Sequence, residues 1–98
     1  MKQRRVMQTD PTPLDERLQR MVNLKVPGID IMHGELKMRM LEAEAELTEA
    51  QRIEEDNDYG DAMESMERKY WEGYFDALVK CYTLTYDISF AIGARNED

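Results

Sequence analysis

The chain has 98 residues, of which 42% are hydrophobic and 35% charged, with a formal net charge of −8 and a single cysteine. That length admits one domain at most, and a lone chain of this size buries only about 60–65% of its unfolded surface, so a monomer would be marginal. One cysteine excludes an intrachain disulfide and points to a reducing compartment, the cytoplasm.

The first residues, MKQRRVMQTDP, are basic but carry no apolar core of the signal-peptide kind. Residues 1–11 read as a flexible basic arm. Residues 1–25 hold six bases (Lys2, Arg4, Arg5, Arg17, Arg20, Lys25) against three acids, a net of +3. The cluster is short and has no aromatic residue beside it, so a solvated tail, or contact with the acidic middle of a neighbouring copy, is expected rather than direct nucleic-acid binding. From residue 12 onward one all-helical domain is expected. Thr12-Pro13 is read as the start of a helix over 13–25: threonine as N-cap, proline in the first turn, Asp15 and Glu16 near the positive end. Leu14, Leu18, Met21 and Val22 form its apolar face, and Pro27-Gly28 stops it.

Asp30 is read as the N-cap of a second helix over 31–56. Met32, Leu36, Met40, Ala43, Leu47 and Ala50 recur at steps of four and three, the spacing of a coiled coil. The stripe is narrow. Strong helix formers cover the remaining faces. The run 54–61, Glu-Glu-Asp-Asn-Asp-Tyr-Gly-Asp, is read as the hinge of a hairpin, with Asp58 or Asp61 capping the last helix. The rival is one unbroken helix of roughly 95 Å from residue 31 to 93. The hairpin is favoured because its arms have similar lengths and facing apolar seams.

The last helix, 61–93 with Gly93 as its stop, contains seven of the eight aromatic residues. Its polar line is Glu72, Asp76, Lys80, Thr83 and Asp87. Tyr70, Tyr74, Ala77, Cys81, Leu84, Ile88 and Ala91 make one seam, and Phe75, Val79, Tyr82, Tyr86 and Phe90 a second. Cys81 is expected to be a buried small hydrophobe. A small-residue row, Gly73, Ala77, Cys81, Thr85, Ser89 and Gly93, would let another backbone come close. A membrane span is excluded by the charges at Glu72, Asp76, Lys80 and Asp87.

More than half the circumference of this helix is apolar, which exceeds what one neighbour can cover. The sequence therefore predicts an all-α long antiparallel helical hairpin with a short N-terminal helix, assembled as a homodimer into a four-helix-like bundle. The predicted interface is Tyr70, Trp71, Gly73, Tyr74, Ala77, Leu78, Cys81, Leu84 and Ile88. The short first helix is allowed to cover part of it. A second surface is acidic: Glu54, Glu55, Asp56, Asp58, Asp61 and Glu64 would face a partner.

No catalytic, metal or cofactor site is expected. The 55–66 stretch lacks oxygen ligands at two positions of a calcium loop. His33-Gly-Glu35 has no P-C-x-x-C partner, so His33 is read as an exposed or capping-region residue. Glu46-x-x-Glu49 and Glu64-x-x-Glu67 make up no complete site either: the all-α nucleotide pyrophosphatases follow E-x-x-E with E-x-x-D, and Glu72 to Asp76 is one residue too long. Magnesium-dependent nucleotide hydrolysis is one alternative. A DNA-mimic inhibitor is another, because residues 42–69 hold eleven acids and three bases, a net of −8.

Tyr70-Trp-Glu-Gly-Tyr74, Asp76-Ala-Leu78, Leu84-Thr-Tyr86 and Phe90-Ala-Ile92 resemble a motif of small acidic helical proteins from bacteriophages of actinobacteria. The resemblance covers roughly the last third of the chain. It implies a phage accessory protein acting in the host cytoplasm and nothing catalytic; self-association and a host or phage protein as partner are expected from the aromatic helix and the acidic surface instead.

Overall fold

A computed structural model describes residues 12–96; the basic arm expected at 1–11 lies outside them. Among the described residues there are three helices and no strand: α1 (Glu16–Asn23), α2 (Gly28–Asp56) and α3 (Ala62–Asn96). Helices α2 and α3 pack antiparallel as a hairpin. The radius of gyration, 18.3 Å, exceeds the roughly 13 Å of a compact chain of this length.

Helix α1 begins later than Thr12-Pro13 suggested. Asp15 is the N-cap, accepting from the backbone N–H of Leu18 at 2.8 Å. Its end is a Schellman turn: Val26 N–H reaches Met21 C=O at 3.1 Å and Lys25 N–H reaches Val22 C=O at 3.0 Å. Lys25 takes the left-handed conformation there, with φ 63°. Helix α2 then starts at Gly28, directly after Pro27, so Asp30 lies inside the first turn rather than capping it. There its carboxylate still faces the positive end of the helix dipole.

The hinge falls where the acidic run placed it, and the single unbroken helix is ruled out. A second Schellman turn closes α2: Tyr59 N–H reaches Glu54 C=O at 2.9 Å and Asp58 N–H reaches Glu55 C=O at 3.0 Å. The left-handed residues are Asp58 (φ 54°) and Tyr59 (φ 60°), not Gly60. Asp61 rather than Asp58 caps α3, accepting from Met63 N–H at 2.9 Å. At its far end α3 runs through Gly93 to Asn96, so Gly93 does not stop it.

The hairpin core is thin. Ala43, Ala50 and Leu78 are the buried apolar residues, with Glu54 and Thr85 buried beside them. On α2 the inward seam is Ile29, His33, Leu36, Met40, Ala43, Leu47, Ala50 and Glu54. His33 takes the place expected for Met32, which is 56% exposed. On α3 the inward seam is Trp71, Phe75, Leu78, Tyr82, Thr85, Ser89 and Ile92, every one buried or half-buried.

Two polar layers fix the register of these seams. Near the turn, Ser65 Oγ and Arg68 Nε both donate to the Glu54 carboxylate, and Arg68 Nη1 also donates to Glu72 at 3.0 Å. At the other end His33 stacks on Tyr82, with ring centroids 4.3 Å apart. The Thr85 hydroxyl donates to the Tyr82 carbonyl, so its one proton is used. His33 Nδ1, 2.9 Å from Thr85 Oγ1, is then the donor of that pair. His33 is thus a packing residue of the hairpin, neither exposed nor a cap.

Candidate association surface on the last helix

The outward seam of α3 is the inward seam displaced by one residue: Tyr70, Tyr74, Ala77, Cys81, Leu84, Ile88 and Ala91. All seven are exposed. Tyr70 is 60% exposed, Leu84 59% and Ile88 42%. One residue turns an α-helix by about 100°, so the two seams occupy neighbouring faces of one rod. Most of the predicted interface lies on the outer face: Tyr70, Gly73, Tyr74, Ala77, Cys81, Leu84 and Ile88.

Two residues of that interface lie elsewhere. Leu78 belongs to the inward seam, one heptad before Thr85, and is buried against α2. It is corrected from an outer to an inner residue. Trp71 likewise belongs to the inward seam, where it is half-buried, and its Nε1 donates to Glu67 at 2.9 Å. Cys81 is exposed within the single chain, so a thiol buried inside one subunit is not what the structure has. The small-residue row does not hold to one side: Gly73, Ala77 and Cys81 are exposed, whereas Thr85 is buried. A row spaced by four drifts around a helix of 3.6 residues per turn. Among the described residues nothing approaches Gly73 or Gly93 closely, since a Cβ on either would meet no atom within 4 Å.

Aromatic rings order the start of the outer face. Tyr70 and Tyr74 stack, nearly parallel, with centroids 6.0 Å apart. Trp71 meets Tyr70 edge-on at 5.0 Å and Tyr74 at 5.7 Å. Such contacts order the three rings against one another. Of the second seam, Phe75, Val79 and Tyr82 are half-buried, whereas Tyr86 is 54% and Phe90 69% exposed.

Helix α1 does not cover this surface. Among the described helices it packs on α2 alone, where Arg17 Nη2 donates to Glu35 at 2.7 Å and Arg39 Nε to the other oxygen at 2.9 Å. The Arg17 hydrogen bond first, then that of Arg39, holds the Glu35 carboxyl below the usual range. Between the two helices lies an apolar groove of about 320 Å³ lined by Leu14, Leu18, Val22 and Leu36 among others.

The acidic surface is smaller than the sequence suggested. Glu54 is withdrawn from it altogether: its side chain is 1% exposed and bound by Ser65 and Arg68. Those hydrogen bonds, Ser65 first, hold its carboxyl below the usual range. Its position is readable from spacing, because Glu54 follows Ala50 by four and so continues the α2 seam. Glu64 is half-buried and accepts from Asn57 Nδ2 at 2.6 Å. Asp56 is paired with Arg52 at 2.7 Å. Glu55, Asp58 and Asp61 remain exposed beside them.

The carboxylate pairs considered for metal chemistry do not converge. Glu49 is held by Arg52 at 2.6 Å and Glu72 by Arg68, while Glu46 lines a crevice with Arg39, Trp71 and Tyr74. Among the described residues, no group of three or more His, Cys, Asp or Glu side chains is placed to hold a metal ion. Nor is any described helix long and apolar enough to cross a membrane. Comparisons with models of protein families, with curated proteins and with solved structures find no match.

Proposed function

We propose that the chain is a non-enzymatic interaction protein that self-associates through the outer face of α3 and presents its acidic turn to a second protein. One observation carries this reading. A complete heptad seam of apolar and small residues, Tyr70 to Ala91, stands in water in the lone chain. A contiguous apolar face of this kind marks an association site rather than an ordinary monomer surface. The thin core points the same way, because three buried apolar side chains leave a two-helix unit marginal by itself.

Under this reading the protein acts as a phage-like accessory factor in the host cytoplasm, with a homodimer as its working form. Light scattering after size exclusion tests it: a dimer mass is expected at micromolar concentration, and a clean monomer overturns it. The DNA-mimic reading keeps one supporting feature, the exposed acids Glu55, Asp58 and Asp61 at the turn. It predicts that a pull-down from host lysate recovers a nucleic-acid-binding protein that high salt releases. Recovery unaffected by salt would set that second reading aside.

A further inference from the structure

Resting on that self-association, we infer that two copies pair their α3 helices antiparallel in one register, with Ala77 against Ile88 and Cys81 against Leu84 of the second copy. The seam has the four-three spacing of a coiled coil, and antiparallel pairing sets each position of one kind against a position of the other. In this register each layer from Tyr74 to Ala91 joins one large and one small side chain: Tyr74 with Ala91, Ala77 with Ile88, Cys81 with Leu84; Tyr70, beyond them, falls opposite Arg95. Close packing favours such alternation, since paired small residues leave voids and paired large ones overfill.

Charge selects the same register independently. Lys80 and Asp87 flank the outer seam on the side away from α2. Both are exposed, and neither forms an ion pair with another described residue. In the proposed register Lys80 of each copy lies beside Asp87 of the other, twice by symmetry. Sliding one helix back by a heptad sets Lys80 against Lys80 and the small Ala77 against Cys81. Sliding it forward sets Asp87 against Asp87 and Leu84 against Ile88. A parallel pair stacks each residue on itself, Tyr74 on Tyr74 and Ala77 on Ala77, and gives Lys80 no acid.

Disulfide trapping decides between these arrangements. In a Cys81→Ser background, Ala77→Cys and Ile88→Cys are made as separate variants and oxidised gently in glutathione, alone and after refolding together. A covalent dimer on non-reducing gels is expected from the mixture and from neither variant alone, because facing Cα atoms must lie within about 7 Å to bridge. Cross-linking of either variant by itself indicates a parallel pair and overturns the inference. If the mixture stays uncross-linked while scattering still gives a dimer mass, the register is wrong and the self-association stands. A monomeric parent chain removes both.

The flanking charges give a second measurement that leaves the seam intact. Lys80→Glu and Asp87→Lys should each raise the dimer Kd by roughly 3- to 10-fold, and the combined variant should recover most of that loss. Positions 80 and 87 sit two turns apart, about 10 Å along one helix, so they cannot compensate within a chain. Failure of the combined variant to recover overturns the register.

Discussion

Leu78 and Leu84 lie on the same helix, yet the structure gives them opposite surroundings. Leu78 is 8% exposed and Leu84 59% exposed. Truncating a buried leucine to alanine costs about 2–5 kcal/mol, the sum of lost transfer energy and the cavity left behind. The other buried apolar residues of the hairpin are alanines, Ala43 and Ala50, and a two-helix core can close partly over a void. Leu78→Ala should therefore cost about 2–3 kcal/mol, a fall in Tm of roughly 10–20 °C for a domain of this size. Dilution should leave that cost in place, since the contact lies within one chain. Leu84→Ala should change the dilute chain by less than about 0.5 kcal/mol, because its side chain touches little and both residues suit a helix. Across a dimer it should remove about 2 kcal/mol of apolar burial from the two copies together, a roughly 30-fold rise in Kd. Circular-dichroism melts of both variants and the parent, at low and high protein concentration, separate the two behaviours. Equal, concentration-independent losses for the two leucines would refute the division of α3 into an inner and an outer face.

Three further outcomes are expected. Ala77→Glu, which places a charge in the outer seam, should abolish the dimer mass in light scattering while the helical signal of the dilute chain is retained; an unchanged mass would remove Ala77 from the interface. Glu54 has a folded-state carboxyl held below its ordinary value near 4.5 by Ser65 and then Arg68, so it contributes stability above that pH and loses it as pH falls through the lower folded value. Comparing the parent with Glu54→Gln cancels the relief of overall acidic repulsion: the stability gap in urea titrations should be widest near neutral pH and close on acidification, and a gap independent of pH would contradict the layer. Tyr59→Gly should raise Tm by a few degrees, because a left-handed φ costs a non-glycine residue about 1 kcal/mol and Tyr59 is 61% exposed; a lower Tm would mean that its ring contributes more than its backbone costs.

Element types and the hinge are legible in the sequence because they rest on local signals. The four-three spacing from Leu36 to Ala50 and the turn-prone run at 54–61 lead to two packed arms and the bend between them. Caps are less legible. Asp15 and Pro27 displace Thr12 and Asp30 because several acceptable caps stand within a few residues, and the choice depends on where the chain turns in space. The outer seam is legible as a heptad. Its neighbour does not separate cleanly from it, since Leu78 and Trp71 are apolar whichever face they occupy, and apolar character alone does not say which partner covers a side chain. Cys81 escapes the sequence for that reason. Glu54 and His33 escape it differently: polar residue type suggests solvent, whereas spacing, four after Ala50 and three before Leu36, places both in the α2 seam. Periodicity outweighs polarity at both sites because Arg68 with Ser65, and Thr85 with Tyr82, are in phase across the hairpin to satisfy them.

The two faces of α3 also differ in how each can specify its partner. The inner face carries polar layers at both ends, Glu54 with Arg68 and His33 with Thr85, and a heptad slip would strand a carboxylate that is 1% exposed. Leaving such a charge unpaired is heavily penalised, so the hairpin has one register. The outer face has no charged residue among its seven seam positions and no such lock. Under the proposed pairing, specificity there comes from side-chain size and from the flanking charges: large against small from Tyr74 to Ala91, and Lys80 against Asp87 one heptad apart. A face that only shielded a hydrophobic helix would have no need of either alternation. Charge reversal at Lys80 should accordingly alter which register or partner the outer face accepts, while the same change leaves the pairing of α2 with α3 untouched.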